Sequence, residues 1–192
     1  MNTPTENTFI TSVIVADRVG LLRDVTRAIF SLEGNIGAIR QTLVDGFFSL
    51  VFTSTHPADI SIEALKAILA GSLEESAVVT VLNKEEHAVA TTPTKVPRYV
   101  VTTRGADKPG TICAISSFLV DHNVNIEDWI VDEDDGEIIY IAQVAVPESI
   151  DFRTLQGAFK ERMAAMDLSG MILHENIFRA TNEIGAIKPL IG

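Results

Sequence analysis

The chain has 192 residues, 46% hydrophobic and 21% charged, a balance that fits a globular protein and excludes an extended polar polymer. Lys and Arg total 15 against 26 Asp and Glu, a net charge of −11 with no basic run, which argues against direct binding to DNA or RNA, where clustered cations must displace counterions. A single cysteine, Cys113, leaves no intrachain disulfide framework and suits a reducing cytoplasm, and no segment has the length and apolarity of a membrane span.

The opening residues MNTPTENT carry neither a basic leader nor a long apolar stretch, so no secretory signal is expected and the expected compartment is the cytoplasm. Phe9 to Val15 is a β-rich run that ends at Ala16-Asp17-Arg18-Val19-Gly20. Leu22, Val25, Ile29 and Leu32 then fall at helical spacing, and Gly34 is a suitable stop. Asn35 to Val44 and Phe47 to Thr55 read as two strands joined by Asp45-Gly46, a strong hairpin signal. Pro57 closes the hairpin. Ile62, Leu65, Leu69 and Leu73 mark a second helix, and Val78 to Leu82 a last strand. Residues 84–97, polar and punctuated by proline, form a linker.

The plan then repeats. Asp17 and Gly20 recur as Asp107 and Gly110, Asn35-Ile36 as Asn125-Ile126, Asp45-Gly46 as Asp135-Gly136, and Pro57 as Pro147, all at an offset of 90 residues. What recurs is chiefly the Gly, Pro, Asn and Asp that fix turns and helix starts, so one backbone plan is used twice. The second copy's helices carry Ile112, Ile115, Leu119 and His122, then Phe152, Leu155, Phe159 and Met163, and its last strand is placed at Leu168 to Phe178. The expected organisation is a first domain at 1–83, a linker at 84–97, a second domain at 98–178 and a tail at 179–192 without clear pattern. Each copy reads strand, helix, strand, strand, helix, strand, the α+β ferredoxin-like split arrangement: a four-stranded antiparallel sheet with both helices on one face. Domains of roughly 80 residues lie near the lower limit for a self-sufficient core and often gain stability from a further surface.

Chemistry concentrates at the helix heads. Gly20 and Gly110 permit close approach to the backbone, and free N–H groups at a helix start favour an anion such as a carboxylate. Asp17 and Asp107 either cap the helix or accept a ligand ammonium. Asn35 and Asn125 either hold a zwitterion or occupy a left-handed position after the helix. Elsewhere the bland readings prevail. Asp132 to Glu137 is a solvated hairpin tip, Cys113 is expected to pack in the core, and His122 is expected partly buried. His56, His87 and His174 lack ligand spacing, Trp129 is core or interface, and no phosphate-cradling loop or nucleophile signature is present. No catalytic residue, metal or cofactor is expected.

The opening strand, Asp-x-x-Gly at a helix head and a Gly/Asn-containing helix end followed by Asn-Ile together resemble the ACT domain. Asp17-Arg18-Val19-Gly20 with Gly34-Asn35-Ile36 carries the pattern once, and Asp107-Lys108-Pro109-Gly110 with Asn123-Val124-Asn125-Ile126 carries it again. The resemblance runs from Phe9 to about Leu173, and a free-standing tandem pair is similar to the glycine cleavage system transcriptional repressor group. It implies a non-enzymatic regulator that senses an amino acid, with glycine and serine the first candidates, and that acts on a protein partner such as a transcription factor, as a homodimer. It also implies ligand contacts at Asp17, Arg18, Val19, Gly20, Asn35 and Ile36, and at Asp107, Lys108, Pro109, Gly110, Asn125 and Ile126. A structural module, or a regulatory subunit of an amino-acid or folate enzyme, is the alternative. Glu127-Asp128, standing where the first copy has Gly37-Ala38, is expected to discourage a ligand carboxylate in the second copy and to favour the first.

Overall fold

The computed structural model describes residues 6–86 and 96–182. The chain divides into two units, 1–91 and 92–192, each considered by itself. The first contains β1 (Glu6–Ala16), α1 (Leu21–Ser31), β2 (Asn35–Val44), β3 (Phe47–Pro57), α2 (Ile62–Ser72) and β4 (Val78–Asn83). Its antiparallel sheet has the order β2-β3-β1-β4. The second contains β5 (Arg98–Gly105), α3 (Thr111–Asp121), β6 (Asn125–Asp134), β7 (Glu137–Ala145), α4 (Phe152–Ala164), β8 (Ser169–His174) and α5 (Glu175–Asn182), with the order β6-β7-β5-β8. These are two ferredoxin-like domains of the ACT type. Most of the expected linker and tail, with His87, lies outside the described residues.

Alternation builds each core. Phe9, Val13 and Val15 of β1 and Phe48, Leu50 and Phe52 of β3 point to one face and pack with the buried stripes of α1 and α2. The stripe on α1 is Leu21, Val25, Ala28 and Ile29, and on α3 it is Thr111, Ile115, Phe118 and Leu119. Val25 and Ile29, and Ile115 and Leu119, stand where the sequence spacing placed them, but each stripe starts one residue earlier, because each helix begins directly after its glycine and turns its first residue inward. Leu22 and Ile112 are left exposed. Cys113, expected in the core, follows Ile112 onto the solvent side and is also exposed.

The second domain departs from its expected end. β8 stops at His174 instead of reaching Phe178, and α5 follows at once. Glu175 receives the side-chain amide of Gln143 at 3.3 Å and pairs with Arg179 at 2.6 Å, which ties the new helix to the sheet. α5 packs against β5 and β8. Val100, which points away from the core face, is buried as well.

One packing exchange separates the domains. His56 is buried; its Nδ1 lies 3.2 Å from the Leu32 carbonyl oxygen and its Nε2 3.0 Å from Ser54 Oγ. A Cβ on Gly34 would stand 2.2 Å from His56 Cε1 and 2.8 Å from Ile29 Cγ2, a clash with both. The second domain replaces Gly34, Ser54 and His56 with Val124, Val144 and Val146, all buried in one apolar cluster. Gly34 is therefore required by the histidine and not by the helix end, where the positive φ falls at Glu33 (52°) and Asn123 (54°). Gly34→Val is expected to cost about 1–3 kcal/mol through overpacking. The triple variant Gly34→Val/Ser54→Val/His56→Val should recover most of that loss, and chemical denaturation of both proteins measures the coupling.

Candidate functional site: the glycine turns

Each central strand leads into its helix through a glycine held at positive φ, 96° at Gly20 and 90° at Gly110. A residue with a Cβ is strained there. Both glycines are the helix N-caps, and neither helix start receives a side-chain capping bond. The reading of Asp17 and Asp107 as helix caps is thus corrected. Asp17 instead lies beside the hairpin tip, its backbone N–H donating to the Gly46 carbonyl at 2.8 Å. The Asp107 carboxylate accepts the Tyr140 hydroxyl at 3.4 Å. By contrast α2 and α4 have ordinary polar caps, Ser61 and Asp151.

The residue after each aspartate pins the turn. Arg18 donates to Asp24 at 2.9 Å and to Glu74 at 3.0 Å, spanning the head of α1 and the turn after α2. Lys108 reaches the corresponding turn, donating to the Met166 carbonyl and to Asp167, both at 3.0 Å. These two cations fasten the loop and do not face an open site. Val19 and Pro109 are exposed beside them.

Asn35-Ile36 and Asn125-Ile126 do not join the glycine turns of their own domains. Asn35 pairs with Thr55, which pairs with Thr8, whereas Gly20 follows Ala16, paired with Phe47. Eight strand positions separate those rows, about 26 Å at about 3.3 Å per residue. The second domain repeats this: Asn125 shares a row with Ala145 and Arg98, at the opposite end of β5 from Gly105. The asparagines open β2 and β6, so the left-handed alternative for them is also set aside. Glu127 belongs to the same distant end and pairs with Arg98 at 2.8 Å. Its charge therefore lies at the Asn125 end of the sheet, away from Gly110.

The two turns differ in another respect. Arg23 lies over Gly20, its Nη2 3.1 Å from where a Cβ would stand, and it grips Asp24 through Nε and Nη2 at 3.0 and 2.8 Å. Asp24 places a carboxylate in the first turn of α1, and Arg23 and Arg18 hold that carboxyl below the ordinary range. Nothing stands within 4 Å of a Cβ position at Gly110, and α3 has no acid in its first turn. The head of α1 carries an internal acid and the head of α3 carries none, while the first amide of α3, Thr111 N–H, donates to the Lys108 carbonyl at 3.2 Å. Sequence reasoning missed Asp24, Arg23 and Tyr140; an Arg-Asp pair at the head of a helix was the available signal for the first two.

An open groove of about 330 Å³ runs beside this network, lined by Asp24, Arg27, Ala28, Ser31 and Ser72 between α1 and α2. Among the described residues, no group of acidic, His or Cys side chains could hold a metal ion, and no helix is long and apolar enough to cross a membrane. Arg104 ties the acidic hairpin, bonding Asp134 at 3.3 Å and also Glu137.

No protein-family model matches the chain. Over 89 residues, 45% of this chain and 98% of the relative, it is 29% identical to a UPF0237 protein of Methanopyrus kandleri. In fold it is similar to an unknown protein from Galdieria sulphuraria, with a TM-score of 0.72, 17% identity, and 88% and 98% of the two chains covered. It is also similar to a protein assigned as a glycine cleavage system transcriptional repressor, with a TM-score of 0.66, 15% identity, and 88% and 97% covered. These likenesses show the tandem ACT-type fold.

The depressed Asp24 carboxyl gives a testable pH effect. Its ion pairs stabilise the fold above the unfolded carboxylate value of about 3.9 and lose that contribution as pH falls through the lower folded value. Asp24→Asn should therefore flatten the decline of stability below about pH 4 and leave its shape above pH 5 unchanged, as read from melting temperatures across that range.

Proposed function

We propose that this chain is a non-enzymatic regulator that binds an amino acid or similar small molecule at a glycine turn and modulates a protein partner. The observation that carries the reading is the uncapped, left-handed glycine at the head of α3, with open space above it. Backbone N–H groups at such a helix start receive a carboxylate through hydrogen bonds and the helix dipole together. Asp107 stands at the same turn, where its carboxylate attracts an ammonium. Pro109 at the end of the loop restricts the approach to the helix. The turn at Gly20 is the weaker receiver, since Arg23 and Asp24 already occupy it. Asn35, Ile36, Asn125 and Ile126 take no part in ligand contacts made by the turn of their own domain.

The whole-length likeness in fold to a protein assigned as a repressor of glycine cleavage supports a finer form of this reading. In that form the chain is a cytoplasmic homodimer that senses glycine or serine and acts through a DNA-binding partner. At a net charge of −11 it leaves nucleic acid to that partner.

Binding is tested by calorimetry on the full chain with glycine and serine first, followed by the other common amino acids. Ala114 occupies in α3 the place that Asp24 has in α1, so Ala114→Asp supplies the missing carboxylate. It should weaken binding about tenfold, about 1.4 kcal/mol, within the range of charge effects at helix termini. Asn125→Ala should leave affinity within about twofold. Unchanged affinity in Ala114→Asp together with lost binding in Asn125→Ala would place the ligand at the other end of the sheet and overturn the assignment.

A further inference from the structure

The open face of the first sheet, opposite its helices, carries Ile14, Val44, Phe47, Val51, Val78 and Leu82, from 41% exposed at Leu82 to 61% at Val78. Strand register makes them one surface: Val44 and Ala16 flank Phe47, Val78 flanks Ile14, Ser12 lies beside Val51, and Leu82 lies beside Ile10. An apolar patch this extensive on a soluble domain marks an interaction site more often than a bare surface.

Charge identifies the occupant. The four strands of the first domain contain one carboxylate, Glu6, at the outer end of β1, and one arginine, Arg40, in register with Val51 on β2. Those of the second contain Glu127, Asp128, Asp132, Glu133, Asp134 and Glu137. Two copies of a chain at −11 repel each other over most of their surface, and the first sheet is where they can meet without that cost. The size is adequate too. Four strands about 4.8 Å apart and about eight residues long at about 3.3 Å rise make a face of roughly 500 Å² in projection. Its accessible area is larger, within reach of the roughly 800 Å² per partner of a standard interface. The second domain cannot offer the same surface, because α5 packs on β5 and β8, and the other two strands, β6 and β7, carry the carboxylates.

We infer that the open face of the first sheet seats the same face of a second copy of this chain, an isologous sheet-on-sheet contact. This assigns a surface to self-association and stands independently of ligand binding at the glycine turns.

Sedimentation velocity on the full chain up to about 100 µM tests it. The wild type should dimerise, and Val51→Glu should raise the dimer dissociation constant at least about tenfold. Phe30→Glu, a change on the outer face of α1, should leave it unaltered. Because Val51 is exposed, both variants should keep the wild-type circular dichroism; Leu82→Glu replaces Val51→Glu if that protein fails to fold. A wild type that stays monomeric, or a folded face variant that dimerises like wild type, overturns the inference, whatever its ligand affinity.

Discussion

A backbone turn whose positive φ strains any residue with a Cβ sets the arrangement of each domain. At Gly20 and Gly110 the chain leaves a central strand, passes through positive φ, and enters a helix of 11 residues that lies back across the sheet. That turn places Leu21 and Thr111 directly into the core and so fixes the phase of each buried stripe. The same glycine leaves the first amides of the helix without a side-chain cap. Fold and candidate chemistry thus share one residue: what lets the helix start abruptly also leaves its head without a side-chain cap.

Duplication allowed the two copies to use that end differently. In the first, Arg18, Arg23, Asp24 and Glu74 form a charged cluster around the turn, and the helix dipole is met by Asp24. In the second, Lys108 still pins the loop to the turn after α4, but nothing supplies an anion at the helix head. The cores diverged in a matching way. A buried His-Ser pair facing a glycine in one domain is three valines in the other, a polar solution with its hydrogen bonds made against an apolar one of similar bulk.

Much of this was legible in the residues. Asp45-Gly46 and Asp135-Gly136 fix hairpins by turn chemistry alone, and alternation through β1 and β3 names the core face. The recurrence of turn residues at one offset gave the tandem plan. The site was less legible, because Asp17 and Asn35 are close in sequence and share a family-like pattern. A helix of 11 residues carries the chain to the far end of the sheet between them, and only strand register reveals that distance. Arg18 and Lys108 read as ligand groups, since nothing in sequence shows that Glu74, Met166 and Asp167 lie within their reach. α5 was missed because Glu175 to Asn182 continues directly from a strand with no turn residue to announce the change.

The central claim is that the open helix head at Gly110 receives the carboxylate of an amino acid. Amide NMR of the uniformly 15N-labelled full chain, titrated with glycine and then serine and the other amino acids to about 10 mM, tests it most directly. The account predicts saturable shifts concentrated at the amides of Gly110, Thr111, Ile112 and Cys113, with smaller changes at Leu21 to Arg23. Shifts confined to the Asn35 and Asn125 ends of the sheets, or no saturable shift with any amino acid, would contradict it.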